Sequence, residues 1–226
     1  MLVDAQRLAV ITDNPSLRIR CALSLGNVLF ALGYQEEASL EWNAALAEAQ
    51  SEGNSELEAV SRIHIARFNL MTGITPAATV RDEITEAINA IKSDELYVAF
   101  GLMIAGLAEN KLGNYGEAET LLKRCLAIHE KKRSLEQAAY DWFLIASFRS
   151  MAGNYASAAE ALTQAVLLDR QVENSYGLAT DWRALGDVYK KAGNPEESRA
   201  AYLRASRIFR ALGNEPAAQE AESRIN

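Results

Sequence analysis

Apolar residues along the chain recur at spacings of three and four, the mark of helices with one buried face. The pattern is clearest over residues 181–189, where Trp182, Leu185 and Tyr189 fall on one side of a helix. Gly186 lies among them and is small enough to let a second helix come close. Gly193 marks the stop of that helix, and Asn194 with Pro195 in the first turn starts the next. Ala201, Tyr202 and Ala205 then repeat the device. Forty residues before Gly193 stands Gly153, and the same step reaches Gly113, Gly73 and Gly33. An unbroken period among only 13 glycines marks a repeat. Five residues beyond each glycine come Ala38, Ala78, Ala118, Ala158 and Ser198, and seven before come Gly26, Ala66, Gly106, Ala146 and Gly186. All ten are small, and they are where the two helices of a pair would touch.

Helix pairs are accordingly predicted at 16–32 with 35–51, 56–72 with 76–92, 96–112 with 115–131, 136–152 with 155–172, and 176–192 with 195–212. The second pair carries Asp82 and Thr85 at places that should be apolar, so a slip after Pro76 is expected, with Val80, Ile84 and Ala87 facing inward. Residues 1–12, with Leu2, Ala5, Leu8 and Ala9, read as the second helix of a pair whose first helix is missing. A last short helix should run to about Arg224, with Ala217, Ala218, Ala221 and Ile225 on one side.

The Trp-Leu-Gly-Tyr helix followed by a helix with small facing residues resembles the tetratricopeptide repeat (TPR). The period exceeds the usual length of that repeat by about six residues. The excess falls near Gly53-Asn54, Ser93-Asp94, Arg133-Ser134 and Glu173-Asn174. Units of this length are similar to those in TPR arrays of bacterial signalling and transcription-regulator proteins. The resemblance implies an all-α fold, a right-handed superhelical solenoid of antiparallel helix pairs. On this reading 1–18 is a half-unit, 19–58, 59–98, 99–138, 139–178 and 179–212 are five units, and 213–226 is a cap. Both ends also suit a cut through a longer array, and the half-unit favours a domain of a larger protein.

The resemblance also implies that the first helices line a concave groove. The residues placed there are Arg20, Leu23, Asn27; Val60, Ile63, Arg67; Phe100, Met103, Leu107; Tyr140, Phe143, Ser147; and Thr180, Arg183, Asp187. The middle of this set is apolar and aromatic, which suits a peptide or protein segment as partner. The competing reading is that Phe100, Met103, Tyr140 and Phe143 simply fill gaps between neighbouring first helices. TPR proteins that grip a C-terminal carboxylate use a Lys and two Asn near the start of the groove. Asn27 matches one such place, but Leu23 stands at the Lys position and Ile104 at a basic one, so that specificity is not expected.

Composition narrows the function further. The net charge of −7 argues against a nucleic-acid surface. The basic run Lys123-Arg124 with Lys131-Lys132-Arg133 reads as a solvated helix end. Two cysteines make no disulfide framework, and Cys125 falls on an inward position, so free thiols in a reducing, cytoplasmic compartment are expected. Asp4 and Arg7 interrupt the N-terminal apolar run of a secretory signal. The apolar stretch from Tyr97 to Ala108 is too short to span a bilayer, so no membrane partner is expected.

Catalysis finds no support. His64 and His129 lie on different units without metal-ligand spacing, so no metal is expected. Walker, dinucleotide, Cys-x-x-Cys and Gly-x-Ser-x-Gly motifs are missing, and with them any expected cofactor. Asp141 and Asp181 precede tryptophans in matching places one unit apart, and read as solvated or N-terminal-turn charges. The sequence therefore predicts a non-catalytic interaction scaffold. The alternatives are a ligand-sensing domain of a larger bacterial regulator and a self-assembly module that makes a homo-oligomer through its terminal helices.

Overall fold

Residues 13–225 are described by a computed structural model, in which they form eleven helices and no strand. The chain divides after Leu112 into two units. The first holds α1 (Pro15–Ala31), α2 (Gln35–Ser51), α3 (Ser55–Thr72), α4 (Ala77–Ala90) and α5 (Glu95–Lys111). The second holds α6 (Tyr115–Lys132), α7 (Leu135–Met151), α8 (Tyr155–Gln171), α9 (Ser175–Lys191), α10 (Pro195–Ala211) and α11 (Glu215–Ser223). The ten helices of the five predicted pairs all have their boundaries within two residues of the periodicity-based expectation. The helix expected over residues 1–12 lies outside the described residues. The division after Leu112 separates the third predicted pair, leaving α5 in the first unit and α6 in the second.

The periodic glycines do what their spacing implied. Gly33, Gly73, Gly113, Gly153 and Gly193 have φ between 74° and 88°, a conformation that only glycine reaches without steric cost. Four joints between repeats use the same left-handed turn, at Gly53, Arg133, Glu173 and Gly213, and two of these residues are not glycine: Arg133 and Glu173 both have φ 58°. Side chains then restart the helices. Asn14, Asn54, Asn174 and Asn214 accept from the backbone N–H of Leu17, Leu57, Gly177 and Ala217 respectively.

Small positions let large ones in. In the first unit Gly26 lies against the indole of Trp42, and a Cβ there would overlap Nε1. Trp42 itself is wholly buried. One hundred and sixty residues later the second unit repeats the fit, with a Cβ at Gly186 falling 2.5 Å from the Tyr202 ring. The slip after Pro76 is also present. Val80, Ile84 and Ala87 are buried while Asp82 and Thr85 are exposed. α4 is the shortest helix of its unit and ends in extended backbone at Ile91. Glu56 holds the exit: its Oε1 accepts the backbone N–H groups of Lys92 and Ser93 at 2.6 Å, and its Oε2 accepts the Ser93 hydroxyl at 2.7 Å.

At the C-terminal end, Ala218 and Ala221 of α11 pack with Ala179, Ala205 and Phe209. No helix among the described residues is long and apolar enough to cross a membrane.

Candidate functional site

The first helices of the repeats carry the residues expected to bind a partner. In the first unit these are α1, α3 and α5. Leu23, Val60 and Ile63 do not line an open surface as expected: they are 2%, 0% and 0% exposed. The cause is close helix approach. α3 packs on both α1 and α5, and the absent Cβ of Gly101 brings the Ile63 Cδ1 against α5. Asn27 is half-buried, with its Oδ1 buried and without a hydrogen bond. Arg67 lies with its guanidinium 4.8 Å from the Phe30 ring and 5.9 Å from Phe100. Phe100, Met103 and Leu107 are half-buried, and Phe100 rests on His64 with ring centres 4.8 Å apart.

In the second unit Tyr140 and Phe143 on α7 are stacked, with ring centres 6.1 Å apart and planes 10° apart. Tyr140 is 49% exposed; Phe143 and Ser147 are half-buried. Arg183 and Asp187 on α9 are turned to the C-terminal helix and its flank. Arg183 pairs with Glu220 at 3.1 Å, while Asp187 accepts from Arg224 at 2.7 Å and from the Tyr202 hydroxyl at 2.7 Å.

The solvation expected of Asp141 and Asp181 is overturned. They are 0% and 2% exposed. His129, near a helix end read as solvated, is 8% exposed and joins Asp141. Its Nδ1 donates to Asp141 Oδ2 at 2.6 Å, and the Cys125 thiol donates to Asp141 Oδ1 at 3.3 Å. Burial, and then the charge of Asp141, push the Cys125 thiol far above its usual range. Asp181 shares a hydrogen bond with Asp169, and Asn174 donates to Asp169 Oδ1 at 3.0 Å. Burial, followed by the charge of Asp169, pushes the Asp181 carboxyl up to about 8. The sequence held a signal for both groups. Counting 28 residues beyond each periodic glycine gives Ser61, Gly101, Asp141, Asp181 and Ala221, so both acids stand in a register that is otherwise small.

A basic cleft has no counterpart in the sequence pattern. Arg170, Arg204 and Arg207 line it between α8, α9 and α10, together with Leu167, Leu178 and Trp182. The Arg204 guanidinium lies over the Trp182 ring at 4.4 Å. The acidic net charge of the chain hides this cleft.

Profiles described as tetratricopeptide repeat match residues 135–211 and 105–133. Residues 105–211 thus carry tetratricopeptide repeats. No curated protein sequence matches it. Among solved structures it is similar to BtubC (BKLC) from P. vanneervenii, at 18% identity and a TM-score of 0.74, covering 94% of this chain and 88% of that one. It is also similar to a thermophilic TPR protein of Thermus thermophilus, at 18% identity and a TM-score of 0.64, covering 92% of this chain and 96% of that one. A Rap protein complexed with Competence and Sporulation Factor matches at 15% identity and a TM-score of 0.65, covering 92% of this chain and 62% of that one. At these identities the likeness establishes the TPR-type all-α fold.

Proposed function

We propose that this TPR chain is a non-catalytic scaffold that takes a peptide segment of a protein partner on its first-helix face. The observation that carries the reading is the stacked pair Tyr140 and Phe143, with Tyr140 half in solvent while Phe148 on the same helix is buried. A rigid aromatic ledge of this kind supplies a large contact area at little entropic cost, as hot-spot residues do. Ser147 continues the face by one turn, and Phe100, Met103 and Leu107 with Arg67 form its counterpart in the first unit. A Rap neighbour is complexed with a factor, which supports ligand capture on this fold. It also supports the narrower reading, a sensing domain of a bacterial regulator.

The test uses peptides selected from a displayed random library against the folded chain. Tyr140→Ala with Phe143→Ser should weaken the selected peptides about 30-fold, the equivalent of about 2 kcal/mol, with little change in Tm. Wild-type affinity in the folded double variant would contradict the reading. A large fall in Tm with affinity unchanged would assign the two rings to packing instead.

The basic cleft favours a second reading, in which the partner's segment is acidic and docks on α8–α10. Three arginines and an indole under one of them suit carboxylates beside an apolar side chain. Arg204→Glu would then abolish binding that the α7 double variant leaves intact.

A further inference from the structure

The buried polar groups of the second unit do not belong to the proposed binding face, and one of them has the donor chemistry of a metal centre. We propose that Cys125, His129 and Asp141 form a binding site for a zinc-class divalent metal ion. α6 places Cys125 and His129 four residues apart, on one face of the helix, and α7 brings Asp141 to meet them. Their donor atoms all lie within 4.8 Å of one another, and all three residues are buried. A tetrahedral ion with a thiolate at about 2.3 Å and nitrogen or oxygen at about 2.0–2.2 Å holds its donors about 3.3–3.7 Å apart. Two of the three distances between the residues already have that length. Cys125 Sγ is 3.3 Å from Asp141 Oδ1 and 3.7 Å from His129 Nδ1. The third runs to the other carboxylate oxygen: His129 Nδ1 to Asp141 Oδ2 is a hydrogen bond of 2.6 Å, and it opens by under about 1 Å as the carboxylate turns one oxygen to the ion or spans it with both.

The charges also close. One thiolate and one carboxylate neutralise a divalent ion, and the neutral imidazole completes a site with no net charge in a helical interior. On binding, the Cys125 S–H bond breaks, the sulfur–metal bond forms and the proton passes to solvent. The imidazole proton that Nδ1 gives to Asp141 in the metal-free chain leaves Nδ1, and the ring takes the tautomer with its proton on Nε2 by exchange with solvent, so that the Nδ1 lone pair faces the metal. A sulfur, nitrogen and oxygen set selects zinc over magnesium or calcium, which take oxygen donors. The fourth tetrahedral corner is left to an exogenous ligand.

The repeat supplies its own control. At the same three registers the other units have Ala45, Ala49 and Ser61, or Thr85, Asn89 and Gly101, or Ala205, Phe209 and Ala221. The set Ala165, Asp169 and Asp181 keeps two acids but lacks both sulfur and imidazole. Only one repeat of the described chain brings all three donor types together.

Cobalt(II) titration of the full chain, followed by zinc(II), tests the site. One cobalt per chain is expected, with a thiolate-to-cobalt charge-transfer band and tetrahedral visible bands that zinc bleaches. Zinc at about 100 times its Kd should raise Tm by about 5–10 °C. Cys125→Ala should lose the charge-transfer band and the zinc-induced rise, binding about 100-fold more weakly or worse. Its metal-free Tm should move little, because alanine already occupies this register in three other repeats. Cys21→Ala should keep the band. The site is refuted if wild type gives no charge-transfer band, if the band survives Cys125→Ala, or if that variant keeps the zinc-induced rise in Tm.

Discussion

The two units put different contents into one backbone pattern. The first unit fills its interior with rings. Phe30, Trp42, His64, Phe68 and Phe100 form a connected aromatic cluster, with neighbouring centres 4.8–6.4 Å apart. The second unit buries acids at the register where the first has Ser61 and Gly101. The buried titratable groups consequently respond to pH in opposite directions. Burial, and then the charge of Arg67, pushes His64 down to about 3 from an ordinary 6.5. The unfolded chain takes up that proton first, so the first unit loses stability as pH falls from about 6.5 towards 3. Asp181 is pushed up to about 8 from 3.8, and Asp169 is raised as well. The folded second unit keeps a proton that the unfolded chain has released, so its stability is full below about pH 4 and declines as pH rises towards 8. A repeat constrains helix length and the size of contact residues, and it leaves their ionisation open.

The largest expected effect breaks the aromatic side of this comparison. Trp42→Ala empties a wholly buried place against Gly26 and should destabilise by about 3–5 kcal/mol, read by urea unfolding. Tyr202→Ala, its counterpart against Gly186, should fall in the same range. A loss under about 1 kcal/mol at either position would mean that the glycine-to-ring fit does not organise the repeat.

The polar side is sharpened by Asp181→Asn. The amide still donates to Asp169 and carries no charge, so at pH 8 the variant should be more stable than wild type by about 2 kcal/mol or more. At pH 4 the two should nearly coincide. Equal stability at both pH values would contradict the burial of a carboxyl at this register.

The smallest effect concerns the joints. Glu173 adopts φ 58° where Gly53 and Gly213 stand in the corresponding turns. Glu173→Gly should relieve that strain and stabilise by under about 1 kcal/mol, part of the gain being offset by the freedom of glycine in the unfolded chain. A clear destabilisation would show that the Glu173 side chain stabilises the turn.

These positions also separate what was legible in the sequence from what was not. Helix ends were legible because the glycines that stop them are periodic, and three of the five, Gly113, Gly153 and Gly193, are followed directly by asparagine. The slip in α4 was legible because Asp82 and Thr85 could not be buried. Asp141 and Asp181 misled because an acid in the first turn of a helix is ordinarily solvated, whereas each is the seventh residue of a 17-residue helix; only alignment on the 40-residue period sets them beside Ser61 and Gly101. Leu23, Val60 and Ile63 misled for another reason. An outward-pointing face of a first helix can still be covered when the next first helix approaches as closely as Gly101 permits.

The most direct test of the contrast is a residue-resolved NMR titration of the folded chain, following the Asp181 carboxyl carbon and the His64 ring together. The account predicts a carboxyl midpoint near 8 and an imidazole that stays neutral down to pH 4. A carboxyl midpoint near 4, or a His64 midpoint near 6.5, would contradict it.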